Sequence, residues 1–416
     1  MGKPTNKTQN NTQMKKLFIL SIITLMVSSL IAQSQVQWRG ENRDGFYNES
    51  GLLKSWPAEG PELMWHFDDL GEGHGSVAVT ENMIYVPGTL DTVTYVFAFN
   101  NDGDLKWRSE VGTEWVESWP GVRTSPLIDS GKLYLMTGYG LLVCMDAETG
   151  DHLWKIDMLK DYDGRNIQWG YCENLVMDGE KLFVTVGGVD ANVIALNKND
   201  GLLIWKSKGL GEKSAYNSPN VIEHNGVRML VTMTASSILG LEVETGKLLW
   251  SNPQTNKWSV HPNTPIYHNG QIYCVSGYGK GGVMLKLNDE ATAVEEVWRN
   301  EILDNQMGGV ILLDGKLYGG GHASRTWICL DWETGAEVFT TKEIARGNSI
   351  YADNMLYFYD EKGIIALVEA KGADTKVVSK FKVPYGTKQH WAHSVINNKR
   401  LFIRHGNSLM VYNIAE

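Results

Sequence analysis

One pattern recurs along the whole chain: short stretches of alternating apolar and polar residues, each introduced by a tight turn. Alternation with a period of two is typical of half-buried β-strands. One type of turn occurs eight times and contains Asn, Asp or Gly, which tolerate the positive φ of a two-residue hairpin. These eight turn-and-strand units begin at Glu81, Asp129, Asp178, Asn225, Asn269, Asp314, Asp353 and Asn397.

A second kind of turn follows seven of these units and leads to an aromatic residue. The seven aromatic residues are Trp107, Trp154, Trp205, Trp250, Trp298, Phe339 and Phe381. Consecutive members are 41 to 51 residues apart. Four short strands in a unit of this length predict the blade of a β-propeller.

The two counts also predict how the ring closes. Because eight first turns have only seven second turns after them, one outer strand is missing at the C-terminus. Pro61–Trp65 supplies a matching strand, which ends 42 residues before Trp107. We therefore predict an all-β fold, an eight-bladed propeller of four-stranded antiparallel blades. Its last blade takes three strands from residues 391–414 and is closed by the N-terminal strand at 61–67, so that no sheet edge stays open there.

The N-terminus predicts export. Met14, Lys15 and Lys16 precede an apolar run over residues 17–32, and small residues follow, which is the pattern of a secretory signal peptide. We expect a leader at 1–34 with its signal peptide at 14–34, an N-terminal strap at 35–60 and a single propeller at 61–416. The location would be periplasmic or secreted, in the cell envelope, with no transmembrane span after cleavage. An uncleaved anchor is the alternative, and the start is either Met1 or Met14.

Composition narrows the function classes. With 43% hydrophobic and 21% charged residues, the chain is an ordinary globular protein and neither disordered nor a polytopic membrane protein. Its formal net charge is −10, and loss of the leader with its four lysines would make it about −14. This argues against a nucleic-acid partner, because phosphate binding needs a basic face. The four cysteines fall in different predicted blades without metal-site spacing, and we interpret them as buried free thiols.

Two segments resemble a known repeat. Residues 144–154 and 241–250 each contain Glu-Thr-Gly followed by Trp, and they resemble the repeat of pyrroloquinoline-quinone (PQQ)-type propellers. Residues 38–45 resemble the N-terminal segment of exported bacterial members, including the outer-membrane assembly-factor scaffolds. The resemblance implies that the Thr-Gly turn and the Trp dock neighbouring blades, and that the repeat itself binds no quinone.

A candidate site is expected at one end of the central channel. Long aromatic loops at 114–120, 161–169 and 252–261 connect the blades on the face opposite the tight turns, and the first strand of each blade begins at the channel mouth. Polar and aromatic groups that converge there form a candidate ligand site; alternatively they satisfy backbone groups and channel waters. The predicted ligand-binding residues are Arg123, Trp169, Glu173, Tyr216, Asn217, His261, Asn263, Arg346, Asn348, Trp391 and His393.

Two functions follow from these expectations. The first is an exported binding or scaffold module for an envelope protein or carbohydrate partner, without a cofactor, in which loop residues such as Trp115, Trp119 and Trp258 anchor the partner. The alternative is a PQQ- and Ca-dependent oxidoreductase that resembles the alcohol and sugar dehydrogenases and uses the channel mouth. The resemblance would then make Glu173 and Asn217 calcium ligands.

The sequence leaves open whether the protein is an enzyme, and it assigns no catalytic residue. The segment from His261 to Asn263 lacks the Asp base of the quinone enzymes, and their adjacent pair of cysteines is absent. His261 or His393 could serve as a base in principle. No GxSxG, HExxH or P-loop pattern is present, and the glycine-rich residues 277–282 are expected to form a hairpin loop.

Overall fold

The structure, a computed structural model, describes residues 1–2 and 35–416. The predicted leader and its signal peptide therefore lie outside the described residues, except for the first two. Residues 35–416 form one compact unit of eight antiparallel sheets of four strands. The predicted eight-bladed propeller is confirmed.

The first four blades follow one another along the chain. Blade 1 consists of Ala78–Val79, Met83–Leu90, Val93–Asn100 and Leu105–Thr113. Blade 2 consists of Leu127–Asp129, Lys132–Met136, Leu141–Asp146 and His152–Asp157. Blade 3 consists of Val176–Asp178, Lys181–Val184, Val193–Asn197 and Leu203–Ser207. Blade 4 consists of Asn220–His224, Val227–Met233, Ser237–Glu242 and Leu248–Pro253.

The second four blades repeat this order until the chain ends. Blade 5 consists of Ile266–His268, Gln271–Ser276, Gly281–Leu287 and Val294–Asn300. Blade 6 consists of Ile311–Leu313, Lys316–Gly320, Trp327–Asp331 and Glu337–Thr341. Blade 7 consists of Gly347–Ala352, Met355–Asp360, Ile364–Glu369 and Lys376–Lys382. Blade 8 consists of Val395–Asn397, Arg400–His405, Ser408–Asn413 and the N-terminal Glu62–Phe67.

Helices are few and short within residues 35–416. Met158–Asp161 forms one helical turn, and Gly372–Asp374 forms a 3-10 turn. Outside the blades, Tyr216–Asn217 pairs in parallel with Val260–His261. In the described part of the chain, no helix has the length and apolar character needed to cross a membrane.

Ring closure follows the prediction. Glu62–Phe67 pairs antiparallel with Ser408–Asn413, which places Trp65 opposite Val411. The two ends of the chain therefore share one sheet. A closed ring leaves no unpaired strand edge between the first and last blades, and unpaired edges invite association with other chains.

The repeated tryptophans and glycines explain how neighbouring blades dock. Gly246, in the second turn of blade 4, has a φ of +72°, and a Cβ there would lie 2.4 Å from the ring of Trp205 in blade 3. The Trp205 indole N–H also donates to the Val243 carbonyl at 3.0 Å. Because the ring lies flat on the glycine, the two sheets approach closely and exclude water. The same contact recurs at Trp65 with Gly103, Trp107 with Gly150, Trp154 with Gly201, Trp298 with Gly335 and Phe381 with Gly60.

Residues 35–47 occupy the central channel. Val36 bridges Ile128 on the first strand of blade 2, and Phe46–Tyr47 runs parallel to the first strand of blade 7. Between them the chain turns back, and it directs two arginines at the innermost strands. Arg43, 2% exposed, donates to the carbonyls of Asn174, Leu175 and Pro219 at 2.7 to 2.9 Å.

Arg39 acts in the same way on the opposite side of the channel. Its guanidinium donates to the carbonyls of Val310 and Ser349, each at 3.0 Å. The two arginines thus bind carbonyl groups at the starts of blades 3, 4, 6 and 7. We call residues 35–47 the channel plug.

Candidate functional site

A cavity of about 330 Å³ lies at the end of the channel where the first strands begin. We call it the mouth cavity. The channel plug closes it below, because Trp38 lines the cavity and packs on His393 with ring centroids 4.8 Å apart. Its walls contain six large aromatic rings, those of Trp38, Trp119, Trp169, Tyr216, Tyr278 and Trp391. The site is therefore a blind, aromatic pocket.

The mouth cavity is basic in a protein that is acidic as a whole. Arg123 and Arg346 line it, together with His74, His322 and His393. Within residues 35–416, none of the residues that line it is an Asp or a Glu. Because low-dielectric walls strengthen the field of a buried charge, a guanidinium here that has no carboxylate partner favours an anion.

The structure brings six of the eleven predicted residues to this cavity. They are Arg123, Trp169, Tyr216, Arg346, Trp391 and His393. The other five do not line it and are at most 3% exposed, namely Glu173, Asn217, His261, Asn263 and Asn348. The difference arises at the start of each first strand, where neighbouring side chains point alternately towards the axis and into the sheet.

The buried amides link neighbouring blades. The Asn348 amide donates to the Ala392 carbonyl at 3.2 Å, and the Asn263 amide donates to the Asn305 carbonyl at 3.1 Å. The carbonyl oxygen of each of these side chains has no partner among the described residues. Both residues therefore hold the starts of the strands in place around the channel.

His261 is buried as a neutral ring. It is 0% exposed, its Nδ1 lies 2.6 Å from the Ser276 hydroxyl, and burial lowers its pKa to about 4. Hydrogen bonds also fix the ring of His393. Arg39 only donates, so Nδ1 of His393 accepts at 3.3 Å, while Nε2–H donates to the Met307 carbonyl at 2.8 Å. Burial lowers the pKa of His393 to about 3.

Glu173 and Asn217 are the calcium ligands that the alternative function would require. Ca²⁺ takes six to eight oxygen ligands at about 2.3–2.6 Å. Both Glu173 carboxylate oxygens accept from the Thr185 N–H, at 3.1 and 3.0 Å, and the Asn217 oxygen accepts from the Thr232 hydroxyl at 3.1 Å. The positive charge near Glu173 is Arg43, and no cluster of three His, Cys, Asp or Glu suited to a metal occurs in the described ranges. These residues do not fit a calcium-bound quinone.

Arg123 is a buried charged residue at the cavity whose hydrogen-bond donors are only partly satisfied. It is 6% exposed, and its Nη2 donates to the Ser118 and Trp119 carbonyls, the latter at 2.8 Å. Its buried Nη1 has no hydrogen-bond partner in the structure. The nearby Glu114 does not pair with Arg123. Its carboxylate accepts instead from the Thr94 hydroxyl and from the N–H groups of Trp115 and Gly138, at 2.7 to 2.8 Å.

The second guanidinium of the cavity is already neutralised. Arg346 pairs with Glu361 at 2.9 Å and donates to the His322 carbonyl at 2.8 Å. His74 resembles Arg123 more closely. It is 8% exposed, and neither of its ring nitrogens has a partner within residues 35–416. Burial, together with the charges of Arg404 and Arg123, lowers the pKa of His74 to about 3, so it presents one neutral N–H.

The residues of this site that the sequence did not predict include Trp38, His74, Tyr278 and His322. Trp38 belongs to the segment whose family resemblance was noted, but its place in the channel depends on a contact across the whole ring. Tyr278 lies in the glycine-rich loop, which does connect two strands of blade 5 as predicted. The sequence predicts that the four cysteines are buried free thiols; all four are free, Cys144, Cys274 and Cys329 are buried, and Cys172 is only partly buried and lines the mouth cavity.

The three loop tryptophans differ in exposure. Trp119 is 50% exposed at the rim of the cavity and lies 5.3 Å from Trp391 between ring centroids. Trp115 and Trp258 are partly buried. The Trp115 indole donates to Ser118, and Trp258 packs edge-on against Trp169 at 5.5 Å. Trp119 is therefore the one of the three that is free to meet a partner.

Comparison with known proteins identifies the family. The family model described as outer membrane protein assembly factor BamB matches residues 94–341. The BamB of Shewanella oneidensis is 22% identical over 281 residues, which cover 64% of this chain and 68% of that protein. The crystal structure of BamB from Moraxella catarrhalis superposes with a TM-score of 0.62 at 12% identity and covers 85% of this chain and 99% of its own. At that identity the likeness shows the fold.

Quinone enzymes are also similar over part of the chain. The quinoprotein alcohol dehydrogenase PedH of Pseudomonas putida is 31% identical over 169 residues, or 37% of this chain and 26% of that enzyme. The chain thus matches about a quarter of the length of such relatives. A europium-containing methanol dehydrogenase shares the fold with a TM-score of 0.64 at 15% identity, covering 89% of this chain and 90% of its own. Because the matching model covers more than half of the residues, the chain belongs to the BamB family of PQQ-like propellers.

Proposed function

We propose that this protein is an exported binding module that holds a protein partner of the cell envelope on the face of the mouth cavity. The leader at 1–34 would direct export to the periplasm or beyond, the strap at 35–60 would tie the two ends of the chain, and the propeller at 61–416 would present the binding face. One observation carries the proposal: Trp119 stands half exposed beside an aromatic cavity on the face with the long loops. Exposed aromatic residues next to a pocket are typical anchors of protein interfaces.

The family supports a protein partner. A relative that matches 64% of this chain is named outer membrane protein assembly factor BamB. A scaffold needs a rigid body, and eight closed blades supply one. Loops held by such a body lose little conformational entropy on binding.

Site-specific crosslinking tests the proposal. Trp119 is replaced by the photoreactive p-benzoylphenylalanine, and Leu105, which is 44% exposed on the opposite face, is replaced in the same way as a control. We expect a discrete adduct with an envelope protein from position 119 only. Equal adducts from both positions, or none from position 119, would count against this face.

The quinone alternative has its own test. Purified protein is mixed with PQQ and Ca²⁺, and quinone absorbance and dye reduction are followed. We expect no Ca²⁺-dependent quinone binding and no dye reduction, because the carboxylate of Glu173 accepts from Thr185 and does not form part of an oxygen cage. Stoichiometric quinone binding with turnover would favour the oxidoreductase.

A further inference from the structure

Three features of the mouth cavity converge on one ligand chemistry. The cavity is blind, its walls are aromatic, and its buried hydrogen-bonding groups include donors with no protein partner. We infer that the mouth cavity is a binding site for an aromatic carboxylate, with the carboxylate on Arg123 and the ring among the tryptophans. The inference rests on the cavity itself and not on the proposed partner.

Arg123 supplies the positive charge of the proposed site. A buried donor without a partner costs about 1–3 kcal/mol, and more when it carries a charge. Its Nη1 is such a donor, and the nearby carboxylate of Glu114 accepts from Thr94 and Gly138 and forms no hydrogen bond with Arg123 among the described residues. A ligand carboxylate would satisfy this N–H with a charge-assisted hydrogen bond, which is about twice as strong as a neutral one.

His74 supports the same end of the ligand. Its ring lines the cavity, packs on Trp391 at 4.8 Å between centroids, and has both nitrogens unpartnered in the described part of the chain. A neutral imidazole keeps one N–H, which donates to an anion as well as to water. A metal cation, by contrast, would meet the guanidinium of Arg123, and none of the described residues that line the cavity offers a carboxylate.

The aromatic walls restrict the shape of the ligand. The Trp119 and Trp391 ring centroids lie 5.3 Å apart, Trp169 also lines the cavity, and Trp38 closes the bottom. The cavity volume of about 330 Å³ lies at the lower end of the range of about 300–1,000 Å³ that is typical of small-ligand pockets. This space suits an acid with one or two rings. A chain passing through is excluded, because the plug closes the channel beneath.

Such a ligand has two sources: a free aromatic acid, or a polypeptide that ends in an aromatic residue with its C-terminal carboxylate. Isothermal titration calorimetry of the purified protein in EDTA distinguishes them. The first arm compares 2-naphthylacetate with its neutral amide. The second compares a pentapeptide ending in Phe as the free acid with the same peptide amidated at its C-terminus.

We expect at least one acid to bind about tenfold or more tightly than its amide, because a hydrogen bond to a charged group contributes about 1.5–3 kcal/mol. Arg123→Gln should abolish this preference. Arg325→Gln, an exposed arginine outside the cavity lining, removes the same charge and should leave the preference unchanged. Trp119→Ala, at an exposed site, should weaken acid and amide alike.

The inference is overturned by any of three results: no probe binds, acid and amide bind equally, or the two arginine variants behave the same way. Binding that appears only when EDTA is replaced by Ca²⁺ would also overturn it and would point to the quinone alternative. Thermal unfolding of Arg123→Gln shows whether the variant is folded. If it is not, the acid-to-amide ratio of the wild-type protein and the Trp119→Ala result still decide the question. Failure of the crosslinking experiment leaves these results unaffected.

Discussion

Single residues in this propeller are defined by what their buried polar atoms contact. Asn263 and Asn348 fasten neighbouring strands, while Arg39 and Arg43 fill the channel with donors for backbone carbonyls. Glu173 differs from them in carrying a carboxylate, which is buried with the residue only 1% exposed and accepts from the Thr185 N–H. Burial raises the pKa of Glu173 to about 7, although the Thr185 hydrogen bonds and the charge of Arg43 oppose the shift.

This shift predicts a pH-dependent stability. Between the unfolded pKa near 4.5 and the folded pKa near 7, the native state binds more protons than the unfolded state, so stability falls as pH rises through this window. Glu173→Gln removes the buried charge and should raise the free energy of unfolding at pH 8, by up to about 3 kcal/mol at about 1.4 kcal/mol per pKa unit. The gain should vanish at pH 4.

Urea denaturation at several pH values measures this effect. Glu223→Gln, at an exposed position of blade 4, is the matched control and should show no pH-dependent gain. A Glu173→Gln variant that is less stable than the wild type at pH 8 would mean that the charge itself is needed, for example to hold Arg43.

At the scale of the element, the contact between an aromatic ring and a glycine joins each blade to the next. Blade 4 offers two glycines with similar backbone and different surroundings. Gly246 has a φ of +72° and lies under Trp205, whereas Gly226 has a φ of +81° and no atom within 4 Å of an added Cβ. Comparison of the two separates backbone strain from the docking contact.

Gly246→Ala should therefore cost more than Gly226→Ala. The left-handed backbone alone costs an alanine about 1 kcal/mol, and displacement of a packed indole adds about 1–3 kcal/mol. We expect about 1 kcal/mol for Gly226→Ala and about 2–4 kcal/mol for Gly246→Ala, from urea unfolding midpoints. Equal losses would show that the Trp205 contact adds little to blade docking.

At the scale of the whole molecule, two N-terminal segments have different structural roles. Glu62–Phe67 completes blade 8, whereas the channel plug fills the axis and forms the floor of the mouth cavity. The first segment protects a strand edge. The second satisfies carbonyl groups around the ring.

Two truncations distinguish these roles. A variant that lacks residues 35–47 keeps the closing strand and should remain a folded monomer, with faster amide exchange at the starts of the first strands. A variant that lacks residues 35–68 exposes the edge of Ser408–Asn413 and should self-associate. Size-exclusion chromatography with light scattering and hydrogen exchange measure both. If the longer truncation is monomeric and as stable as the shorter one, the N-terminal strand does not stabilise blade 8.

The repeat was readable from the sequence because its signals are local. A hairpin turn needs Asn, Asp or Gly within two residues, and each Trp follows its own Thr-Gly turn at a fixed distance. These signals predict the number of blades, the closure of the last blade by the strand that contains Trp65, and the face on which the mouth cavity lies. They also placed Arg123, Trp169, Tyr216, Arg346, Trp391 and His393 at the channel mouth, since each stands at the start of a first strand or in the loop before it.

What the sequence determined by itself was the fold, because each blade is specified by residues close together in the chain. Only the tertiary structure decided which of the neighbouring side chains faces the cavity, since a shift of one residue turns a strand's side chains to its other side. The tertiary structure also decided that residues 35–47 fill the channel and that Trp38 and His74 join the site. Those contacts join segments up to about 350 residues apart, as between Trp38 and His393. Such pairs leave no local pattern, because they are set by the closure of the ring.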